Sequence, residues 1–251
     1  MIASSSAIAG SMGAQQAHEL MRIAEVSKSY GGQRALADIS FDIRSREVLG
    51  LIGPNGAGKT TLLEAIAGIV PSDGGNIIWH GTPMSHASRR DAIFYLPDGL
   101  RPWEDQFVIR IVEFFAAVYG KAENRVAETI SHVGLSPVLN KRVGALSKGY
   151  GRRLMLALAL MTPQPILLMD EPFDGFDLRQ TREIMVLLRR VAASGRALVL
   201  AIHQLIDAER ICDRFVLLAD GRVRGIGSLD QLRDRSGNAS AGLEDVFLAL
   251  T

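Results

Sequence analysis

One cysteine, Cys212, in 251 residues excludes an intrachain disulfide framework and makes a reducing, cytosolic compartment the simplest reading. A solitary thiol reads as a small apolar core residue. Long apolar runs are lacking too. The longest uncharged stretch in the body of the chain, residues 154–169, is broken by Pro163 and Pro165, whereas a spanning helix needs roughly 20 mostly apolar residues. Charge of one sign is not in surplus: 28 Lys and Arg face 27 Asp and Glu. That balance speaks against wholesale electrostatic binding, so no nucleic-acid partner is expected. The opening segment has no basic start and no sustained apolar core, which argues against a signal peptide. Residues 1–20 read as a flexible extension. What is present is 47% hydrophobic residues, enough for a sizeable core.

Strand-like and helix-like segments alternate, the pattern of an α/β fold. Residues 21–26 and 35–43 read as strands separated by a turn at Gly31-Gly32. Residues 47–52 form an apolar run that enters a glycine-rich loop, followed by a helix to about Gly68. Residues 76–80 read as a further strand. From about 101 to 161 the spacing turns helical, at 107–119, 122–133 and 151–161, an insertion into the α/β pattern. Strand character returns at 166–169, 197–202 and 214–218. Residues 21–235 therefore read as one domain, and 236–251 as a helical tail with an apolar face over 243–250.

Two motifs carry chemistry. Gly53-Pro54-Asn55-Gly56-Ala57-Gly58-Lys59-Thr60 fits G-x-x-x-x-G-K-[ST] between a strand and a helix. Glycines let several backbone N–H groups face one phosphate cluster, and the new helix directs its positive end there. Lys59 is placed for the β and γ phosphates of ATP, and the Thr60 hydroxyl for Mg²⁺; Thr61 continues the nucleotide contact. Downstream, the apolar strand 166–169 ends in Asp170-Glu171. Asp170 is expected to hold Mg²⁺ as a hard oxygen ligand. Glu171 is expected to polarise the water that attacks the γ-phosphate.

From about Met21 to Leu229 the chain resembles the ATP-binding cassette family. Tyr30 stands where that family places an aromatic ring on adenine. Leu146-Ser147-Lys148-Gly149-Tyr150 resembles the family signature, usually Leu-Ser-Gly-Gly-Gln. The run from Glu171 through Asp174 to Asp177 is similar to the loop that crosses the family's dimer interface, and His203 to its γ-phosphate histidine. The resemblance implies a P-loop NTPase core with an N-terminal antiparallel β subdomain and an inserted α-helical subdomain. It also implies a head-to-tail dimer, with Ser147 and Gly149 of each subunit covering the ATP of the other and Asp177 beside them.

Two departures stand out. Lys148 and Tyr150 replace Gly and Gln in the signature; Lys148 either approaches the polyphosphate or points to solvent. Asp98, in Tyr95-Leu96-Pro97-Asp98, stands where the family usually has Gln and becomes a candidate Mg²⁺ ligand. Trp103, beside Pro102, suits an anchor for a membrane subunit or a packing residue. The expected function is that of an ATPase motor on the inner face of the cell membrane. It would be joined to a second ATPase subunit, identical or related, and to separate permease subunits, with a lean to export from residues 107–120. The alternative is a soluble cassette ATPase such as the iron–sulfur assembly kind. A different P-loop class, a kinase or motor, conflicts with the signature, Glu171 and His203 taken together.

Overall fold

The computed structural model describes residues 17–251. Most of the expected 1–20 extension lies outside them. Glu19 and Leu20, which were placed in that extension, instead begin the first strand, because Leu20 joins the buried core.

The N-terminal part is a small antiparallel sheet, in which β1 (Glu19–Tyr30) pairs with β2 (Gln33–Arg44). Between them and the rest come β3 (Val48–Ile52) and α1 (Lys59–Ala67). β4 (Gly74–Trp79) and β5 (Thr82–Pro83) complete the sheet in the order β2-β1-β4-β5. A short α2 (Arg89–Ala92) leads into β6 (Ile93–Leu96). Three helices follow: α3 (Val108–Val118), α4 (Glu123–Val133) and α5 (Lys148–Met161). The chain then returns through β7 (Ile166–Asp170), α6 (Leu178–Ala193), β8 (Ala197–Ile202) and α7 (Leu205–Ile211). It ends with β9 (Arg214–Ala219), β10 (Arg222–Gly227), α8 (Leu229–Ser236) and α9 (Leu243–Leu250).

The second sheet runs β10-β9-β3-β8-β7-β6. All its pairings are parallel except β9 with the edge strand β10. β3, β7 and β8 are buried at every position, as a parallel sheet covered on both faces requires. Side chains alternate between those faces. Leu167, Met169, Leu198 and Leu200 enter the core beneath the helical insertion. Ile166, Leu168, Ala197 and Val199 enter the core shared with α1 and the antiparallel sheet. By the same parity Asp170 lies on the α1 side of β7, which is how an aspartate 110 residues from Thr60 comes to meet it.

The three expected helices of the insertion are present, lying between β6 and β7 in the chain. β10 lies beyond the expected segments. β10 is a half-exposed edge strand with two glycines, so its apolar signal is weak. The C-terminal helix packs Leu243 and Val246 into the main core, against α7 and α8. Among the described residues, no helix is long and apolar enough to cross a membrane.

Candidate active site

The glycine-rich loop leaves fully buried β3 and turns immediately into α1. Its geometry needs its glycines at two points. Gly58 has φ 99°, and a Cβ there would stand 2.7 Å from the Ala35 carbonyl oxygen; at Gly53 a Cβ would approach the Leu218 carbonyl oxygen to 2.2 Å. The loop is thus pressed between β2 and β9, and only a hydrogen side chain fits.

Lys59, buried at the start of α1, donates from Nζ to the carbonyl oxygens of Gly53 at 2.7 Å and Pro54 at 3.1 Å. Burial pulls its pKa down, and the nearby carboxylates of Glu171 and Asp170 push back. The next residue, Thr60, donates from Oγ1 to Asp170 Oδ2 at 2.7 Å. Asp170 is 5% exposed, so this hydroxyl and carboxylate form a compact set of hard oxygens beside the loop. Such a set suits a divalent cation that keeps several waters and takes the rest of its ligands from phosphate.

Glu171 takes a left-handed backbone, φ 47°, with its N–H donating to the Ala201 carbonyl of β8 at 3.0 Å. That turn carries it out of the strand, where its Oε2 meets His203 Nδ1 at 2.5 Å. A glutamate held in an unfavourable conformation by a neighbouring strand is a common mark of functional sites.

An open cavity of about 380 Å³ is lined by Ala35, Asn55, Gly56, Gly58, Lys59, Thr60, Thr61, Asp98, Asp170 and Glu171. It gathers residues from four separate segments. Asp98 lines it, but its Oδ1 is held by Arg152 Nη2 of α5 at 2.5 Å. No group of three or more Asp, Glu, His or Cys that could hold a metal occurs among the described residues. The geometry therefore gives Asp98 a firm intrachain partner and no ligand cluster.

Several expected nucleotide contacts are absent from the cavity wall. Tyr30 is exposed at the end of β1, its ring 5.3 Å from Lys28 Nζ. Ser147 caps α5, accepting from the Tyr150 N–H at 3.3 Å. Gly149 packs on the Gly175 carbonyl. Asp177 caps α6 in a reciprocal capping box with Gln180. Lys148 pairs with Asp174 at 2.7 Å, an intrachain partner that neither reading of that lysine included. Arg152 carries no sequence signal because it fits no motif, and it lies 54 residues from its partner Asp98.

The ABC transporter family model matches residues 36–174, which run from within β2, through the glycine-rich loop, to just past the acidic end of β7. The chain belongs to the ABC transporter family. It is an ATP-binding subunit of that family, an ABC ATPase that hydrolyses ATP to drive transport, with the corresponding fold. It is 29% identical over 241 residues to the linearmycin resistance ATP-binding protein LnrL of Bacillus subtilis, covering 91% of this chain and 78% of that protein. It is 36% identical over 215 residues to the Nod factor export ATP-binding protein I of Rhizobium sp., covering 82% of this chain and 70% of that protein. Among solved structures, an ATP-binding subunit of an ABC transporter superposes with TM-score 0.85 at 29% identity, covering 92% of this ABC ATPase and 99% of that chain.

Proposed function

We propose that this ABC ATPase works as a head-to-tail pair of subunits, each completing the other's ATP site, and drives export through separate membrane subunits at the cytoplasmic face. The observation that carries the reading is a division of the site. The phosphate loop, Thr60, Asp170 and Glu171 line one cavity, while Ser147 and Gly149 stand outside it at the start of α5. A second subunit's signature would supply the hydroxyl, N–H groups and helix end that the first cavity lacks.

Within each site the loop N–H groups, Lys59 and Thr61 bind the polyphosphate of ATP, and Tyr30 stacks on the base. Thr60 and Asp170 would hold Mg²⁺, which supplies charge neutralisation at the phosphates when bound. Glu171 orients the attacking water and accepts its proton, while His203 fixes the Glu171 carboxylate and faces the γ-phosphate. Asp177 serves first as a helix cap and sits beside the partner's signature in the assembled pair.

The membrane partner is proposed to dock on an apolar patch around α3. Trp103, Phe114 and Val118 are 65%, 54% and 59% exposed, and the first two line an open cavity of about 380 Å³ with Ile111 and a polar edge of Asp105, Gln106 and Arg110. Exposed aromatics grouped in a concave patch mark interaction surfaces. The lean to export rests on the named activities of the relatives.

The test is a mild-detergent pull-down of the tagged chain from its native membranes. Stoichiometric recovery of a partner with several membrane-spanning helices is the expected result. Recovery alone or with soluble proteins only would replace this reading with a non-transport cassette ATPase.

A further inference from the structure

A second cavity, about 450 Å³ in volume, lies far from the ATP cavity in the chain's architecture, at the seam where α4 and the end of α5 meet α6 and the start of β8. Its charged wall consists of Lys121, Arg125, Arg190 and Arg196 against one acid, Glu128, with His132 beside them. Arg125 and Glu128 already pair with each other at 3.4 Å. That leaves three cations without an acidic partner, in a chain whose formal charge is only +1.

Arg196 is the most constrained of them. Nε donates to the Gln164 carbonyl at 2.9 Å, Nη1 to the Leu160 carbonyl at 3.4 Å and Nη2 to Thr162 Oγ1 at 3.1 Å. A guanidinium has five N–H groups, so part of its donor fork is free, and no carboxylate meets it among the described residues. Burial depresses its pKa to about 10, the response of a cation stripped of water without a counter-charge.

Helix-end electrostatics explain only part of this. The carbonyls closing α5 account for Arg196, and the negative end of α6 favours Arg190 in its last turn. Lys121 and Arg125 occupy the opposite situation. They lie at the N-terminal end of α4, where the helix is itself positive and disfavours cations. Neither Lys121 nor Arg190 makes a side-chain hydrogen bond or ion pair among the described residues. An anion at this point would be stabilised by both the side chains and the α4 end. The other wall is aliphatic, formed by Leu160, Leu187 and Val191, and the volume falls in the range of small-molecule clefts.

We propose that this seam cavity is a second anion site that takes a small organic phosphate. Lys121, Arg190 and Arg196 would hold the phosphate, and Leu160, Leu187 and Val191 its apolar part. Because the cavity joins the helical insertion to the main sheet, occupancy would tie the two together.

The test is calorimetric titration of the full chain, saturated with ADP to block the glycine-rich loop, using phenyl phosphate and inorganic phosphate as probes. Phenyl phosphate is expected to bind saturably and about tenfold more tightly than inorganic phosphate, and both to weaken as salt rises. Lys121→Ala and Arg190→Ala are each expected to weaken phenyl phosphate about fivefold or more while leaving ADP binding unchanged. No saturable binding to the ADP-loaded protein, or binding unaltered in both variants, would overturn the site. Equal affinity for the two probes would overturn the organic-phosphate assignment.

Discussion

His203 and Glu171 meet at 2.5 Å, with the imidazole half-exposed and the carboxylate 20% exposed. Neither side chain contributes to the apolar core, so their chemistry can be separated from folding. His203→Ala is expected to lower kcat about 100-fold, the scale of a lost positioning or proton-transfer group. Its Tm should stay within a few degrees of the parent. A large Tm loss would instead make the histidine structural. Lys59 differs, because it is buried and its ammonium is held by two loop carbonyls. Lys59→Ala would remove the proposed charge-assisted contact to phosphate and is expected to weaken ATP binding tenfold or more, measured by equilibrium titration.

At the scale of elements, the loop between β3 and α1 is held by its neighbours as much as by its own sequence. Gly58→Ala places a Cβ against the Ala35 carbonyl in a left-handed conformation. About 1–3 kcal/mol of strain follows, and a Tm several degrees lower is expected. Two ion pairs tie the start of α5 to the main sheet and its loops: Arg152 with Asp98, and Lys148 with Asp174. Arg152 is 7% exposed, so removing its partner leaves a poorly solvated cation. Asp98→Gln is expected to destabilise by about 1 kcal/mol, between a surface and a buried pair. The exchange Asp98→Arg with Arg152→Asp should recover part of that loss in a double-mutant cycle. Zero coupling would show the pair to be incidental. The hydrogen bond from Lys148 holds Asp174 below the usual carboxylate range. A depressed folded value means that this tie is present above the unfolded pKa of about 4. It is lost as pH falls through the folded value.

For the whole molecule, the decisive feature is a cavity separated from the signature of its own chain. In the proposed pair, ATP held between two subunits would stabilise the pair beyond what its binding contributes to either subunit alone. Glu171→Gln keeps the shape of the site but removes the carboxylate proposed to activate water. With ATP it is expected to elute from gel filtration at twice the monomer mass, with turnover reduced at least 100-fold. Wild-type turnover in that variant would remove Glu171 from its role. A stable pair failing to form would count against the head-to-tail arrangement.

The local chemistry was legible along the chain because it depends on neighbours in sequence. The phosphate loop, the buried strand ending in Asp170-Glu171 and the helical spacing of residues 107–133 each carry their own short-range pattern, and each appears in the structure within a few residues. The strand start at Glu19 was less visible, since one apolar residue, Leu20, after an uncharged tail gives little periodicity. The edge strand β10 was weaker still, with two glycines and no regular alternation of buried and exposed positions. Long-range pairings had no sequence signal at all. The contact of Thr60 with Asp170 follows from the parity of β7 and its place two strands from β3. The partners of Asp98 and Lys148, and the meeting of four cationic residues from α4, α6 and their flanks at one seam, depend on how helices and sheet pack. Composition and motif thus determined the reaction this chain supports, through groups adjacent in sequence. Only tertiary packing decided which charges neutralise one another and which remain available to an anion, because ion pairing is a matter of distance in space.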